Sequence, residues 1–184
     1  MLIKSGYSRI RARPRIEKEI DMALRTLRIE GDPILNKVSH PVKEMTPRLE
    51  ELIEDMLETM YSENGVGLAA VQVGVLRRIV TIDVGEGPII LVNPVIVEKD
   101  GVQTGQEGCL SVPNKVGIVT RPNHVIVEAL DENMEPQRLE GEGLLARAFC
   151  HELDHLDGKM YTSLVEGDLM EVEPYGEDDE DDED

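Results

Sequence analysis

Residues 142–158 read Glu142-Gly143-Leu144-Leu145-Ala146-Arg147-Ala148-Phe149-Cys150-His151-Glu152-Leu153-Asp154-His155-Leu156-Asp157-Gly158. Leu145, Phe149 and Leu156 lie near one face at helical spacing and Gly158 offers a C-terminal stop, which predicts a helix from about Glu142 to Leu156. On it His151 and His155, at i and i+4, point the same way from consecutive turns, so both imidazoles can reach one metal ion. Glu152 sits one residue on, beside the open coordination position. Without a metal, the same run would be two surface histidines on an acidic helix solvated by Asp154 and Asp157. Cys150, about 100° around the helix from His151, belongs in the core.

Outward from this helix the texture changes. Short β-branched runs, Arg78–Val84, Ile89–Val97 and Val125–Leu130, are broken by Gly85, Gly87-Pro88, Asp100-Gly101 and Asp131-Glu132-Asn133, and read as strands and turns. Before them Leu49, Leu52, Ile53, Met56, Leu57 and Met60 form a core-facing stripe, predicting an amphipathic helix with Thr46 as N-cap, Pro47 at its first position and Asn64-Gly65 at its end. The fold class is therefore α+β: a single domain with mixed or antiparallel sheets around a C-terminal helix bearing His-Glu-x-x-His, and an N-terminal amphipathic helix.

A chain of 184 residues is long enough to bury roughly 70% of its unfolded surface in one core. Nineteen Lys and Arg against 38 Asp and Glu give a net charge of −19, which argues against nucleic acid and bare anionic membrane as partners. No apolar run approaches the about 18 residues of a spanning helix. Residues 1–21 carry six Lys/Arg and three acids and read as a basic extension, with Glu17, Glu19 and Asp21 arguing against an organelle transit peptide; a strand-like segment begins at Met22. Residues 171–184 carry ten acids and no base, a block expected to stay a disordered solvating tail. Residues 22–170, left with a net charge of −12, form the catalytic domain.

A catalytic tetrahedral site needs three protein ligands and one open position. Zinc-peptidase patterns do not supply the third ligand. The longer one asks for histidine where Tyr161 stands, and a downstream glutamate would have to be Glu166, only 11 residues past His155 with little chain left to build its helix. The inverted motif order is absent. Candidates upstream are Cys109, His40 and His124; two cysteines in a reducing cytosol suit a ligand or nucleophile better than a disulfide.

Cys109 lies in Glu107-Gly108-Cys109-Leu110-Ser111. With Gly65-Val66-Gly67-Leu68-Ala69-Ala70-Val71-Gln72 upstream and His151-Glu152-Leu153-Asp154-His155-Leu156-Asp157-Gly158 downstream, the chain resembles the peptide deformylases over about residues 24–165, both charged ends falling outside. The family's three motifs occur in its order, with one departure: Val71, where many relatives have proline.

The resemblance implies one divalent metal held by Cys109, His151 and His155, with water in the fourth position. The ion is typically Fe(II), with Zn(II) or Ni(II) able to take the same ligands. It also implies hydrolysis of the formyl group from N-formylmethionyl nascent polypeptides, releasing formate. A hydroxide on the metal attacks, Glu152 serves as base and then acid, and the Gln72 side-chain amide and the Leu110 backbone N–H stabilise the oxyanion. Gly65, Val66 and Gly67 let substrate backbone pair like an added strand, rather than cradle a phosphate, for which Lys and Ser/Thr are lacking. Leu144 and Ala148, sharing the face of His151 with Arg147, are expected to line the methionine pocket, and Glu107 to orient a neighbouring group. A bacterial cytoplasmic setting and a place near the ribosomal exit tunnel follow from that substrate. Two other readings keep the metal: a His-Glu-x-x-His metallopeptidase, which needs neither Cys109 nor Gln72, and a non-enzymatic metal-binding protein docking through its acidic tail.

Overall fold

The computed structural model describes residues 24–172. The basic extension of residues 1–21 and all but the first two residues of the acidic tail therefore lie outside the described residues.

Helix α1 (Pro47–Ser62) and helix α2 (Gly143–Leu156) are the two helices of the sequence reading. Pro47 opens α1 where its missing N–H costs nothing, and the Thr46 carbonyl accepts from Leu49 and Glu50. The Thr46 side chain makes no capping bond. Leu52, Ile53, Met56 and Met60 are buried against Val42, Leu68, Ile79 and Val92, the core contact their spacing demands. Helix α2 lays Ala146, Phe149, Leu153 and Leu156 on Val80, Ile82, Leu91, Val125 and Val127. Cys150 is buried in this second core, and its burial pushes the thiol pKa up.

Five strands, β1 (Gly67–Ala69), β2 (Ile79–Ile82), β3 (Ile89–Asp100), β6 (His124–Leu130) and β7 (Pro136–Glu142), form one sheet in the order β1-β2-β3-β6-β7. A second sheet holds β4 (Gln103–Cys109), β5 (Val112–Arg121) and β8 (Met170–Glu171) in the order β4-β5-β8. Every strand pairing is antiparallel. Among the described residues the isolated parallel contact is a bridge between His40 and Arg77.

Three details depart from the sequence reading. The strand-like segment placed at Met22 forms no strand over its described residues; its backbone is instead bonded by Arg28 N–H to the Gln72 carbonyl and Glu30 N–H to the Ser111 carbonyl, both 2.7 Å. Strand β3 runs past Val97 to Asp100 because irregularities at Val92/Val95 and Ile96/Glu98 restore its pairing with β6. Strands β1, β4, β5, β7 and β8 have no counterpart in the sequence reading. Of these, β4 and β7 are polar and glycine-bearing, β1 and β8 are only three and two residues long, and β5 opens on Val112-Pro113-Asn114-Lys115 before its apolar run.

The β4–β5 hairpin positions the site. Its ladder runs in one register from Gln103↔Arg121 to Gly108↔Val116, then jumps so that Cys109 faces Val112. The jump leaves Pro113, Asn114 and Lys115 bulged out, with Asn114 at φ 59°, and sets Cys109 at the mouth of a tight Leu110-Ser111 turn.

Candidate active site

Helix α2 carries His151 and His155 on consecutive turns with their Nε2 atoms 3.2 Å apart, and the end of β4 brings Cys109 Sγ to 3.3 Å from His155 Nε2. The three donor atoms lie within 4.8 Å of one another. A tetrahedral ion bound at about 2.05 Å to nitrogen and about 2.3 Å to sulfur would hold N–N pairs about 3.3 Å and N–S pairs about 3.6 Å apart. The two edges that meet at His155 Nε2, 3.2 and 3.3 Å, fall within a few tenths of an ångström of those values, and the chemistry of the donor set, one thiol and two imidazoles, suits a single metal ion. The other sequence candidates lie elsewhere. His40 bridges Arg77, His124 Nε2 donates to Glu140 Oε1 at 2.6 Å across the β6–β7 pair, and Glu166 accepts from the Thr120 hydroxyl. Tyr161 is almost fully buried, with its ring 5.8 Å from that of His151 and its hydroxyl donating to the Lys115 carbonyl.

Glu107 organises one side of this cluster. Its carboxylate accepts from His151 Nδ1 at 2.7 Å, from Arg121 Nε and Nη2 at 3.1 and 2.6 Å, and from Arg147 Nη1 at 2.9 Å. Burial alone would raise its pKa, but the hydrogen bonds from His151 and Arg121 overcome that and hold it at about 2. With Nδ1 committed to Glu107, Nε2 of His151 is the atom turned toward His155 and Cys109. Arg121 reaches further, donating to Asp154 Oδ2 at 2.6 Å, so Asp154 is a tie between β5 and α2 and not a solvating charge. Asp157 likewise pairs with Arg78. Desolvation drives the His155 pKa well below its ordinary value.

Glu152 is the other buried carboxyl. It is 4% exposed, and its Oε2 has no hydrogen-bond partner among the described residues. Burial pushes its pKa to about 7, with His151 opposing the rise. Gly67 explains how it fits: a Cβ there would lie against Oε1 and 2.8 Å from the carboxyl carbon. The glycine is needed by the carboxylate across from it, a reason that spacing along the chain does not display.

Gln72 lies in a 3-10 turn (Ala70–Val73) and is 1% exposed. Its Oε1 accepts from Ala69 N–H at 2.8 Å, which turns Nε2 toward Ser111 Oγ at 3.1 Å and Cys109 Sγ at 3.6 Å. Ser111 N–H also lies 3.4 Å from that sulfur. Sequence reasoning missed Arg121 and Ser111; an arginine 14 residues from Glu107 carries no signal until the hairpin register is known.

Gln72, Glu107, Cys109, His151 and Glu152 border one cavity of about 520 Å³. Gly65, Val66 and Gly67 form one wall, Cys109 and Leu110 another, and Leu144 and Ala148 of α2 line it beside His151 and Glu152. A thiol and two imidazoles converging beside an unpartnered carboxyl, in a cavity that admits a ligand, define a mononuclear metal-dependent hydrolase.

The match to a polypeptide deformylase family model over residues 24–168 narrows that class. The chain belongs to the polypeptide deformylase family, metal-dependent hydrolases that remove the N-formyl group from nascent peptides. It is 64% identical over 151 residues to a peptide deformylase of Agathobacter rectalis, covering 82% of this chain and 96% of that one. To a peptide deformylase of Lachnoclostridium phytofermentans it is 60% identical over 162 residues, covering 86% and 99%. Among solved structures, the peptide deformylase of Thermotoga maritima superposes with a TM-score of 0.77 at 39% identity, covering 79% of this chain and 99% of that one. One from Synechococcus elongatus in complex with actinonin gives 0.75 at 41% identity, covering 77% and 80%. No helix among the described residues is long and apolar enough to cross a membrane.

Proposed function

We propose that this chain hydrolyses N-formylmethionyl peptides to formate and a free amine with Cys109, His151 and His155 as metal ligands and Glu152 as the proton carrier. The observation that carries the reading is the convergence of those three donor atoms at a cavity that Cys109, His151 and Glu152 line, with Glu152 Oε2 unpartnered among the described residues. A bound divalent ion supplies Lewis acidity and a water of lowered pKa. Glu152 takes the proton of the attacking water at Oε2 and delivers it to the departing amine nitrogen. A carboxyl near 7 can do both at neutral pH. Gln72 Nε2, aimed by its bond from Ala69, and the Leu110 N–H donate to the oxyanion as the formyl carbon becomes tetrahedral. Leu144 and Ala148 take the methionine side chain, and the Gly65-Val66-Gly67 edge pairs with substrate backbone.

The resident ion in this reading is Fe(II), with Zn(II) or Ni(II) able to occupy the same donors, since thiolate and imidazole suit all three. The setting is the bacterial cytoplasm, close to the ribosomal exit where formylated chains emerge.

The test is formate release from a short formyl-methionyl peptide by anaerobically prepared protein reconstituted with Fe(II). Folded, iron-loaded protein that released no formate would refute the assignment, and internal cleavage of the peptide would favour a metallopeptidase. Glu152→Gln is expected to keep one equivalent of metal and lose at least about 10²-fold in kcat, the lower end of general acid–base contributions.

A further inference from the structure

The wall of the cavity formed by Gly65, Val66 and Gly67 has little side-chain packing to hold it. Val66 is 43% exposed, its two neighbours are glycines, and β1 is an outer strand of its sheet, paired with β2. Gly67, Leu68 and Ala69 are fixed by that ladder, in register with Ile82, Thr81 and Val80. Ahead of Gly67 the strand ends. Gly65 N–H donates to the Met60 carbonyl at 2.8 Å, and the Val66 carbonyl accepts from Asp83 N–H at 2.9 Å. Successive residues of a strand turn their N–H and C=O to alternate sides. With the Val66 carbonyl facing β2 through Asp83, Gly67 turns both of its backbone groups to the open edge.

Asp83 is itself held from two directions. Its Oδ1 accepts from Gly85 and Gly87 N–H at 2.8 and 3.1 Å, closing the turn after β2, and its Oδ2 accepts from the Tyr61 hydroxyl at 2.7 Å. Tyr61 stands on the last turn of α1, one residue past Met60. One side chain thus ties the end of α1 to the β2 turn, and its own backbone N–H fixes the residue that aims the edge. Neither Tyr61 nor Asp83 lines the cavity. Resting on the deformylase reading above, we propose that Tyr61 and Asp83 are positioning residues, a clamp that sets the Val66-Gly67 edge to pair with substrate backbone beyond the formylated methionine. Their bond pushes the Tyr61 pKa above 10.0 and the Asp83 pKa below 3.8, so the phenol donates to a carboxylate throughout the neutral range. The bond lies at the surface, and Gly67 keeps its ladder to β2 without it, so its effect falls on peptide binding more than on the Glu152 carboxyl packed against Gly67.

Tyr61→Phe removes the hydroxyl and leaves the ring, and it tests the clamp in metal-loaded full-length protein. Two substrates are compared: formyl-Met-Ala-Ser, which offers backbone to the edge, and the amide of formylmethionine, which ends after its first residue. Losing one net hydrogen bond should raise KM for the peptide by about two- to tenfold, with kcat held within about twofold. The single-residue amide should lose distinctly less in kcat/KM, so the preference for the longer substrate shrinks. Asp83→Asn keeps an acceptor for the glycine N–H groups and should give a smaller shift of the same kind. Combined with Tyr61→Phe it should do no more than the worse single variant, since both act through one bond. Hydrogen exchange at the Asp83 amide should quicken in Tyr61→Phe while that of Leu68 holds. An unchanged KM for the peptide, an equal loss on both substrates, or a loss confined to kcat overturns the inference and leaves the deformylase reading standing. Absence of formate from both substrates with the unaltered protein would instead bring down the deformylase reading itself.

Discussion

At Gly67 the absence of one carbon atom makes room for the proposed proton carrier. Any Cβ at this position must displace the Glu152 carboxyl, which is buried and whose Oε2 has no hydrogen-bond partner among the described residues. Gly67→Ala is therefore expected to lower kcat by about tenfold or more, because misplacing a catalytic group by an ångström can cost up to about 10²-fold. Its metal content should remain at one equivalent, since Cys109, His151 and His155 are untouched. Parallel kinetics and metal analysis would check this, and normal kcat would mean that Glu152 reorients freely. His124 offers a second test at this scale, away from the site. Its hydrogen bond to Glu140 raises its pKa above 6.5 against a smaller opposing desolvation, with the charges of Glu142 and Asp100 adding to the rise. A raised folded-state pKa means that the pair's stabilisation is complete below about 6.5 and is lost as pH climbs through the folded value. The titration of His124 followed by NMR should have its midpoint above 6.5, and Glu140→Gln should bring it down.

Among the elements, Arg121 has a part out of proportion to its sequence signal. From β5 it holds Glu107, which orients His151, and Asp154, which sits on α2 between the two histidines. Arg121→Ala would leave two carboxylates short of their cation, one of them buried, and removing one partner of a buried pair costs about 3–5 kcal/mol. Arg147 still bonds Glu107, so the loss should lie near about 3 kcal/mol, measured by urea unfolding with the m-value unchanged. The sequence could not reveal this arrangement, though it showed much else. Both helices were legible because each has a periodic apolar stripe and a recognisable start or stop. The apolar parts of β2, β3 and β6 were legible from their β-branched runs. Strands β4 and β7 were hidden because Gln-Thr-Gly-Gln-Glu-Gly-Cys and Pro-Gln-Arg-Leu-Glu-Gly-Glu carry almost no strand signal of their own. Their pairing is imposed by neighbours. The candidate site divides the same way. His151, Glu152 and His155 share one helix and announce themselves by spacing, and Cys109 and Gln72 emerged through motif resemblance. Arg121, Ser111 and the demand of Glu152 on Gly67 depend on a hairpin register and a strand-to-helix contact that no local pattern encodes.

For the whole molecule, the three donors tie the β4–β5 sheet to the helix packed on the five-stranded sheet. Cys109 comes from the first and both histidines from the second, so an ion bridging them adds to the Arg121 and Glu107 network and to the bonds of Arg147 with the Val119 carbonyl and of Gln103 with the Gly143 carbonyl. Such an ion binds the folded arrangement and finds no preformed site in the unfolded chain, so its binding free energy adds to stability. At a free metal concentration of about 1,000 times the dissociation constant the gain is about 4 kcal/mol, and for a chain of this size each kcal/mol moves Tm by about 2–4 °C. Chelation of the metal-loaded protein should then lower Tm by about 8–16 °C in a calorimetric scan. The loss of hydrogen-exchange protection should be greatest at the Cys109 turn and the last turns of α2, and small in α1, which contributes no donor. Cys109→Ala should lose most of the metal-dependent part of Tm. A Tm indifferent to chelator in protein shown to have lost its metal would mean that the protein's own contacts, the Glu107 and Arg121 network among them, hold the hairpin to α2 without the ion.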